Sequence, residues 1–141
     1  MTKRMWALVC LPMTVAAIVL LMAAANGAWL KKVPASDHAM VNPVATHPDA
    51  VAAGSNLYKN NCAQCHGADG NGRGSRPAVR SARIAGTTDG DLYWMLKNGQ
   101  PFRGMPSWAK LPEGQRWQIV AYLRSIQSPP PPSSDANGGK Q

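Results

Sequence analysis

The feature that most restricts how this chain can fold is NNCAQCHG at residues 60–67, where Cys62 and Cys65 are followed directly by His66. A C-x-x-C pair has several uses: a redox-active dithiol needs a βαβ setting, and a zinc site needs about four ligands. The only other cysteine, Cys10, lies in a different kind of segment, and no second C-x-x-C or H-x-x-H is present. The surroundings of the motif therefore disfavour a redox dithiol and a zinc site.

The histidine after the pair indicates a third use. C-x-x-C-H is the attachment signature of c-type haem, in which both thiols bond to the porphyrin and the next residue ligates the iron. Cys62 and Cys65 are therefore predicted to bind haem, with His66 as the proximal iron ligand. The expected cofactor is one covalent haem c with its iron.

The second axial ligand follows by exclusion. Between residues 49 and 128, His66 is the only histidine and Met95 and Met105 are the only methionines. His38 and His47 precede this region and are expected to face water. Met95 falls on the apolar face of a predicted helix, whereas Met105 lies in a Gly- and Pro-containing stretch, GQPFRGMPSWAK. Met105 is therefore predicted to be the sixth iron ligand, and a His/Met pair would fill both axial positions.

Residues 49–128 are predicted to form an all-α domain, because no alternating strand pattern is found there. Three helices are expected: DAVAAGSNLYKNNC with Asp49 as a possible N-cap, TDGDLYWMLKNG with a capping box of Thr88 and Asp91, and PEGQRWQIVAYLRSIQ, ended by Pro129. A domain of this size has a marginal core, which a large covalent cofactor would stabilise.

The first thirty residues differ from the rest. Lys3 and Arg4 are followed by 23 uncharged residues from Trp6 to Ala28. Residues 1–30 are predicted to be a signal peptide cleaved near Ala25, or a signal-anchor helix that stays in the membrane through residues 6–28. Both predict export, so the domain is expected on the periplasmic side of the bacterial inner membrane, either anchored or soluble.

Two further segments are rich in proline. Residues 31–48 contain three prolines without clear periodicity and are predicted to be an extended linker. Residues 129–141 are expected to form a disordered tail.

The chain is basic, with 15 Lys and Arg against 7 Asp and Glu. Part of this excess forms a predicted positive rim around the haem, which would steer docking to an acidic partner. Nucleic acid is not an expected partner, because an exported haem domain does not meet it. The rim consists of Arg73, Arg76, Arg80, Arg83 and Arg103.

With these motifs in view, residues 49–128 resemble a class I, monohaem cytochrome c domain of the bacterial kind. Gly54 and Tyr58 stand where the first helix of that family crosses the last, to which Ile119 and Tyr122 would contribute. GADGNGRG and GMPSW are similar to its Gly-rich turn and its Met-ligand loop. The resemblance implies a small fold of three to five helices around one covalent haem, here preceded by an N-terminal hydrophobic helix.

The resemblance also implies roles for further residues. Pro77 resembles the proline whose carbonyl accepts a hydrogen bond from the proximal imidazole, although Ala78 and Val79 follow it where a Leu is common. Arg103, two residues before Met105, is expected to pair with a haem propionate. Trp108 is expected either to donate to a propionate or to pack in the core.

The function that this resemblance implies is electron transfer rather than catalysis. The domain is expected to shuttle single electrons between periplasmic or membrane redox proteins, such as a respiratory complex, an oxidase or a dehydrogenase. The alternatives are an electron-entry haem subunit of a dehydrogenase and a peroxidase-like haem enzyme.

Overall fold

A computed structural model describes residues 28–127. The predictions for the N-terminal hydrophobic helix, for cleavage near Ala25 and for the tail at 129–141 concern residues outside this range. Within residues 28–127, every helix is too short or too polar to span a lipid bilayer. The chain divides into two units, Met1–Pro34 and Ala35–Gln141. In the described part of the first unit, Leu30–Lys32 forms one 3-10 turn.

The second unit is helical. Its described residues, 35–127, contain no strand and only two isolated bridges, Arg73 with Arg76 and Gln100 with Met105. The all-α prediction is therefore confirmed for this part of the chain. The helices are α1 (Ala35–His38), α2 (Pro48–Asn61), α3 (Ala63–His66), α4 (Ala82–Ala85), α5 (Asp89–Asn98) and α6 (Glu113–Ser125), with a 3-10 turn at Pro101–Arg103.

The ends of the long helices follow local sequence signals. The capping box is confirmed at α5: the Thr88 hydroxyl accepts from the Asp91 N–H at 3.1 Å, and the Asp91 carboxylate accepts from the Thr88 N–H at 2.9 Å. The expected N-cap at Asp49 is wrong, because the N-cap of α2 is His47, two residues earlier, and Pro48 is the first helical residue. Proline suits the first helical position, where no N–H is required, and Asp49 then lies in the first turn.

The core forms where α2 crosses α6 and α5 packs against α6. Gly54 permits the close crossing, because a Cβ at this residue would lie 2.0 Å from the carbonyl oxygen of Gln118. The rings of Tyr58 and Tyr122 meet at the same crossing, with centroids 5.1 Å apart. The core side chains are Tyr58, Cys62, Leu92, Tyr93, Leu96, Trp117, Ile119, Val120 and Leu123.

The segment before α2 departs from the extended conformation expected for residues 31–48. Residues 35–38 form α1, and the His38 carbonyl accepts from the Thr88 hydroxyl at 2.9 Å. The buried Asn42 side chain donates to the Trp117 carbonyl at 3.1 Å. His38 was expected to face water, but its Nδ1 lies 2.8 Å from the buried carboxylate of Asp91. These polar contacts hold residues 35–47 on α5 and α6, and the proposed domain division itself remains a prediction.

Candidate haem site

The attachment motif occupies one turn of helix. Cys62 ends α2 and caps α3, and its carbonyl accepts from the N–H groups of Cys65 at 3.1 Å and His66 at 2.9 Å. Residues three apart on a helix share a face, so the two sulfurs are presented together. Cys62 is buried and Cys65 is exposed, and neither forms a disulfide.

The chemistry of Cys62 argues against a redox dithiol. Burial raises the pKa of this thiol to about 11, and the negative charge of a neighbouring Cys65 thiolate adds to the rise. Reactive cysteines have the opposite property, a lowered pKa and an electropositive, accessible surrounding. A buried and neutral sulfur is instead suited to a thioether bond.

The imidazole of His66 is oriented by Pro77. Nδ1 of His66 lies 2.8 Å from the carbonyl oxygen of Pro77. Because a carbonyl only accepts, Nδ1 carries the hydrogen and Nε2 keeps its lone pair for a metal. This is the contact that the family resemblance implies for Pro77.

The turn between His66 and Pro77 needs a glycine. Gly72 has a φ of +86°, and a Cβ there would lie 2.5 Å from the Arg76 carbonyl oxygen. Its N–H donates to the His66 carbonyl at 2.8 Å, which closes the turn. On the other side of the motif, the buried hydroxyl of Tyr58 donates to the Gly67 carbonyl at 2.8 Å. Both bonds fix the backbone that carries the imidazole.

Met105 lies between α5 and α6 in residues 99–112, here called the Met105 loop, and two backbone hydrogen bonds close this loop. The Gln100 N–H donates to the Met105 carbonyl at 2.9 Å, and the Met105 N–H donates back to the Gln100 carbonyl at 3.1 Å. Gly104, with a φ of +78°, makes the reversal between them. Met105 is half-buried and packs against the core cluster that contains Cys62. Met95 is also half-buried, on α5, where Leu92 and Leu96 supply the buried side chains.

These donors fit a covalent haem. Two unpaired thiols share one turn, the adjacent imidazole has Nε2 available, and a thioether packs against the same core. Residues 49–123 match the family model described as cytochrome C oxidase, cbb3-type, subunit III. The chain belongs to this family. It is a bacterial c-type cytochrome domain and carries a covalently bound haem c with its iron.

A curated relative supports the same assignment. Cytochrome c550 of Pseudomonas aeruginosa is 32% identical over 88 residues, which cover 60% of this chain and 61% of the relative. The chain therefore spans less than two thirds of that relative's length. Membership of a cytochrome c family indicates electron transfer.

The basic residues predicted around the site are exposed, and two of them link its loops. Nη1 of Arg76, beside Pro77, donates to the Arg103 carbonyl at 3.3 Å, and its guanidinium lies against Gly104. The Trp108 indole packs against the core, while its backbone N–H donates to the Leu96 carbonyl at 2.9 Å. The propionate contacts of Arg103 and Trp108 remain predictions.

One residue near the site was missed from the sequence. Arg116 is buried and contacts both Tyr93 and the segment that follows Met105. The signal was its spacing, because Arg116 stands three and four residues before Ile119 and Val120 and so lies on the buried face of α6. A charged residue in that position requires an explanation beyond packing.

Proposed function

We propose that this domain carries single electrons, with haem c attached through Cys62 and Cys65 and iron ligated by His66 and Met105. Bound haem c supplies reversible one-electron chemistry. The observation that most supports the proposal is the 2.8 Å contact between Nδ1 of His66 and the Pro77 carbonyl, since it directs Nε2 to a metal. Two protein ligands would leave no open iron position for oxygen, peroxide or substrate.

Met105 is the preferred second ligand because its loop is closed around it. The paired hydrogen bonds with Gln100 fix its backbone, and Gly104 allows the tight reversal before it. A thioether ligand favours the reduced iron and raises the reduction potential. A domain with these ligands is suited to electron exchange at the haem edge.

Ligand binding to the haem-loaded protein separates this proposal from its alternatives. The reduced spectrum of a His/Met carrier is low-spin and does not change with carbon monoxide. Rapid binding of cyanide or peroxide at neutral pH would instead support the peroxidase-like alternative. Stable copurification with a larger protein would support the dehydrogenase subunit.

The partner surface that we propose combines charge with one apolar side chain. Residues 62–106 contain six basic side chains and three acidic ones, of which Asp89 is paired with Arg124 and Asp91 is buried. Phe102, in the Met105 loop, is fully exposed next to Arg103. An acidic redox protein with an apolar centre would complement this surface.

Electron-transfer rates measured against salt test this docking surface. Arg76→Gln is expected to slow association with an acidic partner and to reduce its salt dependence, whereas Phe102→Ser is expected to weaken the complex with little change in salt dependence. Lys59→Gln, on α2, removes the same charge elsewhere. An equal effect of Lys59→Gln and Arg76→Gln would show that net charge alone matters.

Residues 6–28 are proposed to export the domain and to tether it at the periplasmic face of the inner membrane. The supporting observation is the run of 23 uncharged residues after Lys3 and Arg4. A tether would raise the effective concentration of the domain near membrane redox complexes. Fractionation of cells tests it: haem-stained protein found wholly in the soluble fraction would contradict the tether.

A further inference from the structure

Arg116 is a buried cation that forms no ion pair with an acidic side chain among residues 28–127. Its residue exposure is 7%, and neither of the two ion pairs among residues 28–127, His38 with Asp91 and Arg124 with Asp89, includes it. Its Nε is buried and has no hydrogen-bond partner in the described part of the chain. Burial of an unpaired charge is costly, so the groups that Arg116 binds must explain its position.

Those groups belong to the segment between Met105 and α6 and to α5. Nη1 of Arg116 donates to the Ala109 carbonyl at 3.1 Å and to the Leu111 carbonyl. Nη2 donates to the Tyr93 hydroxyl at 2.7 Å, and the guanidinium carbon lies 5.1 Å from the centroid of the Tyr93 ring. One side chain therefore connects this segment to α5 and α6.

The helical side of this connection is rigid. The Tyr93 ring stacks on Trp117 with centroids 4.1 Å apart and an interplanar angle of 17°. Both rings are buried, so the hydroxyl that Arg116 binds is held in place by core packing. The Met105 loop is less well packed, because Met105 is only half-buried and Phe102, Arg103 and Pro106 are exposed.

We infer that Arg116 is a positioning residue that keeps Met105 at the iron. The inference rests on the proposed role of Met105 as a ligand. The loop is fixed on one side by the Gln100–Met105 backbone pair and by the bond from the Trp108 N–H to the Leu96 carbonyl. Arg116 fixes the other side through two carbonyls that come four and six residues after Met105. Loop opening, which would release the thioether, must break these bonds.

The fork of the guanidinium is needed for this role. Nη1 donates to the two carbonyls and Nη2 donates to the hydroxyl, and the planar guanidinium fixes the distance between these two nitrogens. Lysine keeps the charge but offers a single nitrogen at one point. Arg116→Lys is therefore expected to act like Arg116→Gln on loop closure, although it preserves the buried charge.

The test uses the haem-loaded full chain and compares wild type with Arg116→Gln, Arg116→Lys and Tyr93→Phe. The methionine–iron charge-transfer band reports Met105, and added imidazole competes with Met105 for the iron. Each Arg116 variant is expected to weaken the band and to raise the apparent affinity for imidazole about tenfold or more, since several hydrogen bonds to a charged group are lost. Tyr93→Phe removes one bond and is expected to give a smaller rise, about fivefold.

Arg124→Gln is the matched control on the same helix. Arg124 also binds two carbonyls, those of Ile84 at 2.8 Å and Thr87 at 2.6 Å, but these precede α5 and lie outside the Met105 loop. Arg124→Gln is expected to lower stability while the charge-transfer band and the imidazole affinity stay at wild-type values. An equal effect of Arg124→Gln and Arg116→Gln on imidazole affinity would overturn the inference.

The remaining outcomes are distinct. If the Arg116 variants keep the wild-type band and imidazole affinity, Arg116 does not position Met105. The inference is then refuted, while the proposed role of Met105 as a ligand stands. If Arg116→Gln does not fold, Tyr93→Phe decides, because it keeps the aromatic stack. If the wild-type protein lacks the band, or Met105→Ala keeps it, the proposed ligand is refuted together with this inference.

Discussion

Replacement of Gly54 by alanine tests the helix crossing on which the haem site is built. In an open helix this change stabilises by about 0.5–1 kcal/mol, because alanine loses less backbone entropy on folding. At Gly54 the added Cβ would lie 2.0 Å from the Gln118 carbonyl oxygen, against 3.4 Å for ordinary contact, a shortfall of 1.4 Å. The obstacle is backbone, so α2 and α6 must separate. Overpacking costs about 1–3 kcal/mol, and a clash with backbone lies at the upper end of this range, so after the gain from alanine we expect a net loss of about 2 kcal/mol.

The same substitution at Gly114 is a control for which the opposite change in stability is expected. It lies in the first turn of α6, and a Cβ there would meet no atom within 4 Å. Gly114→Ala is expected to stabilise by about 0.5 kcal/mol. The Tm of the haem-loaded proteins can be measured by thermal unfolding followed by circular dichroism. Gly54→Ala is expected to lower the Tm by about 8–16 °C, and Gly114→Ala is expected to raise it slightly. A Gly54→Ala protein as stable as wild type would refute the close crossing.

Three further changes test other parts of the account. Tyr58→Phe removes the hydroxyl donor of the buried Gly67 carbonyl, which keeps the longer bond from the Gly70 N–H at 3.3 Å, and is expected to lower the free energy of unfolding by about 1 kcal/mol in chemical denaturation; an unchanged midpoint would contradict the contact. Asn42→Ala removes the bond to the Trp117 carbonyl and is expected to lower the free energy of unfolding by about 1 kcal/mol, whereas a freely extended linker would show no change. Burial raises the pKa of Asp91, but hydrogen bonds from Thr88 and His38 outweigh it and leave the pKa below its usual value. The stability from Asp91 is therefore present above about pH 4, the unfolded pKa, and is lost as pH falls through the lower folded value. Asp91→Asn is expected to reduce the fall in the free energy of unfolding as pH is lowered below about 4, and an unchanged pH dependence would contradict this.

Local signals were sufficient to predict much of the fold. The capping box of Thr88 and Asp91 and the apolar spacing of Ile119, Val120 and Leu123 depend on neighbouring residues, and the structure confirms both. The N-cap of α2 was misplaced by two residues, because Pro48 and Asp49 both carry signals for a helix start. The proximal motif is also local, since Cys62, Cys65 and His66 occupy one turn.

Long-range contacts account for what was missed. Residues 31–48 look like a linker because they contain three prolines and no clear periodicity, yet His38 and Asn42 form hydrogen bonds to partners 53 and 75 residues away. The role of Arg116 likewise depends on Tyr93 and on two backbone carbonyls, which a helical pattern does not reveal. Polar contacts of this kind become visible only when the helices are packed.

The most direct test of the central claim is the methionine–iron charge-transfer band of the oxidised, haem-loaded protein. Wild type and Met95→Ala are expected to show the band, and Met105→Ala is expected to lose it. Met105→Ala should also bind carbon monoxide when reduced, because one axial position is then open. A Met105→Ala protein that keeps the band, or a wild-type protein that binds carbon monoxide readily, would contradict the assignment of Met105 and the electron-carrier function built on it.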